Sequence, residues 1–115
     1  MKPINIVNKL WGIEEWLVNS PDANYCVKRM TLYPGFRCSQ HYHCKKDETF
    51  YILEGEVLLH INGVAKKLIV GDYARIRPFD IHYFETANKD KSMFLEASTY
   101  HSDDDVVRMT DSVKL

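Results

Sequence analysis

The chain has 115 residues and a mass of 13.5 kDa, with 45% hydrophobic and 27% charged residues. This size and composition predict one globular domain, residues 1–115, with its own core, and they exclude a disordered protein. A formal net charge of −1 excludes the basic surface of a nucleic-acid or anionic-membrane binder. No apolar run approaches the roughly 20 residues of a membrane-spanning helix.

The cysteines and the first residues indicate the compartment. Cys26, Cys38 and Cys44 are an odd number without a CxxC pair, which disfavours a disulfide framework. The chain begins without the apolar stretch of a signal peptide. Together these features predict a reduced, cytoplasmic protein.

Short apolar runs rich in β-branched and aromatic residues, separated by turn residues, predict an all-β protein. The segment 10–18 is compatible either with short strands or with one helical turn. Asn62-Gly63 predicts a tight hairpin. Strands at this spacing are typical of a sandwich or closed barrel, with its core at about 25–100 and the acidic tail beyond it an exposed extension. The predicted strands are 25–32, 37–43, 49–53, 56–61, 64–69, 74–77, 81–85 and 93–98.

Two histidines at alternate positions are the strongest chemical signal in the sequence. His41 and His43 share one face only if the segment is extended, because side chains alternate along a strand. Glu48 follows after a short polar connection, and His82 lies on a later predicted strand. Three imidazoles and one carboxylate suit a divalent first-row metal such as Mn, Zn, Fe, Co or Ni.

These residues resemble the cupin superfamily. Gly35, five residues, His41-Tyr42-His43, four residues, Glu48, six residues and Gly55 match its first motif without a gap. The second motif is similar from Gly71 to His82, but Arg77 replaces its proline and Phe79 its glycine. The resemblance implies a jelly-roll barrel, the double-stranded β-helix, with a metal held by His41, His43, Glu48 and His82.

The first motif also resembles the HxHxxKxE signature of D-lyxose isomerase-like cupins. Lys46 falls on the lysine of that signature, which implies a place in a sugar site. Short segments around Trp11-Gly12, Gln40 and Leu95-Glu96 resemble cupin sugar-phosphate isomerases of the mannose type. Mn is the favoured metal for such an isomerase.

The resemblance implies aldose–ketose isomerisation through a cis-enediolate, in which the metal polarises the carbonyl and a carboxylate moves a proton. Lys46, Glu48 and Glu96 are the catalytic candidates. A carboxylate bound to metal is a poor base, so a second acid is needed to move the proton. The candidates are Glu96, if it points inward, and Glu85, if it does not face solvent. Two other functions stay open, an iron-dependent dioxygenase and a non-catalytic sugar- or acid-binding cupin.

The remaining polar and aromatic residues are expected to have structural roles or are left open. Arg75 and Arg77 either bind a substrate anion or lie on the outer face. A homodimer through N-terminal strands is expected. The other expected partner is a small-molecule substrate, a sugar. Structural or surface positions are expected for Trp11, Trp16, Tyr51, His60 and His101.

Overall fold

Alternation of buried and exposed side chains along extended segments shapes the fold of residues 2–115, which the computed structural model describes. On the strand Tyr25–Leu32, for example, every second side chain is buried. The strands in chain order are β1 (Asn5–Lys9), β2 (Gly12–Ser20), β3 (Tyr25–Leu32), β4 (Phe36–Arg37), β5 (His41–His43), β6 (Glu48–Glu54), β7 (Val57–Ile61), β8 (Val64–Leu68), β9 (Tyr73–Ile76), β10 (His82–Thr86), β11 (Ser92–Ser98), β12 (Val106–Arg108) and β13 (Val113–Lys114).

The strands form two antiparallel sheets. The first sheet has the order β1-β2-β3-β11-β6-β9, and the second has the order β12-β5-β10-β4-β13, with β7 pairing with β10 and β8. The one helical element is a 3-10 turn at Asp103–Asp105, so residues 2–115 contain no helix that could cross a membrane. The all-β prediction is confirmed.

The core lies between the two sheets and closes the floor of a cavity. Phe50 and Phe94 of the first sheet lie 4.3 Å apart between ring centroids, and Phe84 of the second sheet meets both edge-on. Trp11 packs edge-on against Phe84 at 5.0 Å, which confirms its structural role. Because Trp11, Phe50 and Phe84 also line the cavity, these rings fix the position of the polar groups above them.

Two predicted segments differ from the structure. The predicted strand 37–43 is interrupted at 38–40, so β4 and β5 pair separately with β10. The undecided segment 10–18 forms most of β2, which continues from β1 through a tight turn. The break at 38–40 allows Cys38 to bury its side chain in the core.

The acidic tail is mostly exposed, as the sequence predicts, but its backbone is paired with the barrel. β12 pairs with β5, and β13 pairs with β4. Asp105 accepts hydrogen bonds from the backbone N–H groups of Cys44, Lys45 and Lys46. Most tail side chains are exposed, which hides this pairing from a pattern based on hydropathy.

β1 is an edge strand of the first sheet, and it leaves apolar side chains exposed. Ile4 and Ile6 are more than half exposed. An edge with unpaired backbone groups and apolar side chains is suited to pairing with a second copy. The homodimer stays a prediction.

Gly12 provides a test of the packing between β2 and β3. A Cβ atom added at this position would lie 1.8 Å from the carbonyl oxygen of Thr31, so the backbone would have to move. We expect Gly12→Ala to lower the free energy of unfolding by about 3 kcal/mol or more, beyond the range of ordinary substitutions. Urea unfolding would measure it.

Gly63→Ala is the matched control, since a Cβ there meets nothing within 4 Å and only its positive φ opposes the substitution. That variant should lose about 1–2 kcal/mol. Equal stability of Gly12→Ala and the parent chain would contradict the close approach of the two strands.

Candidate metal centre

Three histidines converge beside the cavity, as predicted, and two of them, His41 and His43, line it. His41 lies opposite His82 where β5 pairs with β10, and His43 shares the face of His41 because β5 is extended. One ring nitrogen from each histidine lies within 4.8 Å of the others. These three residues could hold a metal ion.

Hydrogen bonds fix the orientation of each imidazole. In all three rings Nδ1 lies within hydrogen-bond distance of a backbone carbonyl oxygen, which can only accept. Nδ1 therefore carries the proton, and Nε2 keeps its lone pair, as in metal sites whose ligands are held by outer hydrogen bonds. The acceptors are Ser39 for His41 (2.7 Å), Asp105 for His43 (3.1 Å) and Asp80 for His82 (2.8 Å).

Glu48 at the start of β6 faces the same point. Its Oε2 lies 3.3 Å from Nε2 of His43, and its Oε1 lies 3.7 Å from Nε2 of His82. Glu48 Oε2 and His82 Nε2 are buried without a hydrogen-bond partner within residues 2–115. Buried polar atoms are rarely left so, and a metal ion between them would satisfy both. The donor set therefore fits a divalent transition metal, with Glu48 as the predicted fourth ligand.

Burial keeps the histidines neutral, which is the form that binds metal. Loss of hydration, followed by the charge of a neighbouring His82, lowers the pKa of His41 to about 3. Burial followed by the charge of Lys46 lowers the pKa of His43 to about 3. Burial also lowers the pKa of His82.

A buried ion pair lies beside the histidines. Lys46 Nζ is 2.5 Å from Glu96 Oε2 and 3.8 Å from Glu48 Oε2, and the Lys46 side chain is 2% exposed. Burial alone lowers the pKa of Lys46, but Glu96 and Glu48 outweigh it and raise the value. Lys46 is therefore not a solvated loop lysine, and Glu96 points inward.

The two carboxylates differ in protonation. Burial raises the pKa of Glu96, but Lys46 and then Lys28 outweigh this effect and hold it below its usual range. For Glu48, burial and then the charge of Glu96 raise the pKa. Glu96 is thus an ionised carboxylate that does not contact the three histidines, whereas Glu48 loses its proton to bind a metal.

Two further residues of this site, Lys28 and His101, were not predicted as site residues from the sequence. Lys28 on β3 lies opposite Glu96, with its Nζ 4.3 Å from the Trp16 ring centroid and 3.4 Å from Glu14. Its alternation with Cys26, Met30 and Leu32 on the buried face could have revealed it. His101, predicted to be a structural or surface residue, is buried with its Nδ1 3.1 Å from Lys46 Nζ. No pattern in the tail marks His101.

Glu85 does not join the site. It is buried rather than solvent-facing, but it lies on the opposite face of β10 from His82, 3.0 Å from Arg37 and 3.6 Å from His60. Arg75 pairs with Asp47 on the outer face, where Arg77 is also exposed, so neither lines the cavity.

The other residues considered earlier lie at the periphery. Tyr51 is exposed, as predicted, and Cys44 is exposed on the loop after β5. Cys38 borders the cavity, but burial raises the pKa of its thiol to about 12, which makes it a poor metal ligand. Trp16 is partly buried and donates its indole N–H to Glu14.

The altered second motif keeps the backbone of the usual one. Phe79, at the position of the expected glycine, has a φ of 70°, in the left-handed region that favours glycine. Its N–H donates to the carbonyl oxygen of His43 at 2.7 Å. This turn leads directly to Asp80, whose carbonyl orients His82. The histidine is therefore presented correctly although the glycine is absent.

We expect His82→Ala to remove most of the bound metal, because it deletes a buried donor whose Nε2 has no protein partner. His60→Ala is the matched control, since His60 lies outside the cluster and stacks on Tyr83 at 4.1 Å. Elemental analysis of both proteins after dialysis against excess Mn²⁺ is the measurement. Full metal occupancy in His82→Ala would contradict the ligand assignment.

The stability of the metal-free protein should fall in acid. Between pH 6.5 and about 3 the unfolded chain holds a proton on His41 and the folded chain does not, so unfolding takes up a proton. Replacing His41 by Asn should therefore make the free energy of unfolding fall less steeply with decreasing pH, by about 1.4 kcal/mol per pH unit. Urea unfolding from pH 7 to 4 in the presence of a chelator measures this slope, and parallel curves for the two proteins would refute it.

Comparison with known proteins identifies the family to which the chain is similar. The model of the cupin domain matches residues 28–98. An uncharacterised protein of Aquifex aeolicus is 32% identical over 69 residues, which are 60% of this chain and 57% of that protein. The matched segment thus spans little more than half of this relative.

Solved structures agree on the fold. KdgF from a Halomonas species superposes with a TM-score of 0.75 at 16% identity, covering 87% of this chain and 89% of the other. An RmlC-like cupin from Shewanella frigidimarina gives a TM-score of 0.75 at 18% identity, with 87% and 86% covered. The predicted double-stranded β-helix is confirmed, and the chain belongs to the cupin family.

Proposed function

We propose that this cupin is a metal-dependent aldose–ketose isomerase acting on a small sugar, similar to D-lyxose isomerase-like cupins. The observation that carries the proposal is the buried Lys46–Glu96 pair beside the three histidines. It supplies an ionised carboxylate that is separate from the metal ligands, which is what proton transfer in an isomerase needs.

The lining of the cavity supports a polar substrate. A space of about 90 Å³ is bordered by the side chains of Lys28, Lys46, Glu48 and Glu96 as well as by His41 and His43. Hydroxyl groups can replace the water that these groups bind, whereas an apolar ligand would leave them unsolvated. This lining favours a sugar over an apolar ligand.

A bound divalent metal would act as a Lewis acid that polarises the substrate carbonyl. Glu96 takes the proton from C2 of the aldose, and the bonding electrons of that C–H bond form the enediolate. Lys46 Nζ stabilises the negative charge that develops on the neighbouring oxygen. The hydroxyl proton then moves from O2 to O1, and Glu96 returns the carbon-bound proton to C1, which gives the ketose without any net change in atoms or electrons.

The pairing of Glu96 with Lys46 sets the basicity of the carboxylate. While Lys46 donates to Glu96, the lowered pKa makes the carboxylate a weak base. When Lys46 turns toward the substrate oxygen, this stabilisation decreases and the pKa of Glu96 rises toward the range useful for proton transfer. His101, on the other side of Lys46, offers a second acceptor that holds the ammonium group during this movement.

The decisive experiment is an anaerobic assay of Mn²⁺- or Co²⁺-loaded protein with pentoses, hexoses and their phosphates in D₂O. Deuterium at C1 or C2, detected by NMR together with the product, would support the isomerase. Tight binding of one metal without exchange or turnover would favour the non-catalytic binding cupin. Turnover that requires oxygen and iron would favour the dioxygenase.

Glu96→Gln should lower the isomerisation rate by about 100-fold or more, because the amide cannot accept the proton. Glu85→Gln is the matched control, since Glu85 is an equally buried acid on the opposite face. Both proteins should retain their metal, which elemental analysis would verify. Because Gln leaves Lys46 without its partner, Glu96→Asp provides a second variant that keeps the charge but withdraws the carboxylate. Wild-type rates in both Glu96 variants would contradict the assigned base.

A further inference from the structure

We infer that the substrate carries an anionic group, a phosphate monoester or a carboxylate, which Arg108 and Lys9 bind at the rim of the metal cavity. The inference deepens the proposed function and rests on it, because it takes the same cavity as the substrate site. Its basis is the position, the charge and the lack of partners of these two side chains.

Strand pairing places Arg108 beside a metal ligand. β12 pairs with β5 so that Arg108 lies opposite His41 and Val106 lies opposite His43. Directly opposed residues of an antiparallel pair project to the same face. Arg108 and Val106 accordingly border the cavity together with both histidines.

Arg108 has no carboxylate partner within 4.0 Å in the part of the chain that the structure describes. Arg29, Arg37 and Arg75 each pair with a carboxylate. Arg77 is unpaired as well, but it does not border the cavity. Among the arginines of residues 2–115, Arg108 therefore combines a free guanidinium with a place at the cavity, and its planar fork suits phosphate and carboxylate oxygens.

Lys9 contributes the second charge. It ends β1, borders the same cavity and is half-buried, with no carboxylate within ion-pair distance among residues 2–115. The nearby acids already have partners. Glu14 accepts from Trp16 and contacts Lys28, and Asp103 pairs with His101.

The net charge of the cavity also favours a substrate with an anionic group. Four basic side chains and three carboxylates border it, so they carry one net positive charge once Glu48 is ionised as a metal ligand, with His41 and His43 neutral. A divalent metal would raise this to three. A substrate with an anionic group reduces the excess charge, whereas a neutral sugar leaves it unchanged. The carboxylates are Glu14, Glu48 and Glu96, and the basic residues are Lys9, Lys28, Lys46 and Arg108.

Isothermal titration of Mn²⁺-loaded protein with glucose, glucose 6-phosphate and glucuronate tests the inference without requiring turnover. We expect at least one anionic probe to bind 10-fold or more tightly than glucose, with a preference that weakens at high salt. Arg108→Gln and Lys9→Gln should each reduce that preference by about 10-fold. The matched controls Arg77→Gln and Lys66→Gln change exposed basic residues away from the cavity and should keep it.

Each outcome decides the inference. Preference for the phosphate or for the carboxylate identifies the anionic group. If neither anionic probe binds more tightly than glucose, or if Arg108→Gln keeps the full preference, the inference is overturned. Anion binding through Arg108 without isomerase turnover would refute the proposed function alone. Isomerisation of a neutral sugar with no preference for its phosphate would refute this inference alone.

Discussion

The burial of charge inside the barrel is the constraint on which the site depends. Lys46 and Glu96 are nearly inaccessible to water, so each would be strongly unfavourable without the other. The pair is also held from outside, by Lys28 across the sheet and by His101 at the lysine. Apolar rings below these groups exclude water, which strengthens their mutual attraction.

The two carboxylates of the site are chemically alike, and their different surroundings give them different ionisation states. Glu48 contacts neutral histidines and lies farther from Lys46, so its charged form is poorly supported until a cation enters. Glu96 has the ammonium group within 2.5 Å and stays ionised. One acid is thus available as a ligand and the other as a base, which resolves the difficulty of using a single residue for both.

Features that depend on residues close together in the sequence could be predicted, and those that depend on distant residues could not. Alternation along β5 and β6 is local, so the shared face of His41 and His43 and the inward position of Glu48 could be predicted from spacing. Lys28 also sits at an alternating position, but a lysine there is usually taken as exposed. The pairing of Glu96 with Lys46 depends on strands brought together from distant parts of the chain.

The tail was the least predictable part. His101 and Asp105 are short polar residues in an acidic, exposed segment, and nothing near them in the sequence indicates a buried partner. Their roles arise because β12 adds to the sheet beside β5.

The turn at Phe79 could not be predicted for a different reason. Phe79 departs from the family motif, yet it adopts the left-handed backbone angle that favours the motif's glycine.

Asp105 holds two parts of the cavity wall at once, the loop after β5 and the ring of His43. Its carboxylate holds the N–H groups of Cys44, Lys45 and Lys46, and its carbonyl oxygen holds the His43 ring. Because Asp105 lies directly before β12, a fluctuation of the C-terminal segment that frees Asp105 would release the loop and the histidine together. Opening of the site and fraying of the C-terminal segment are then a single cooperative event, and Arg108 would leave the rim with it.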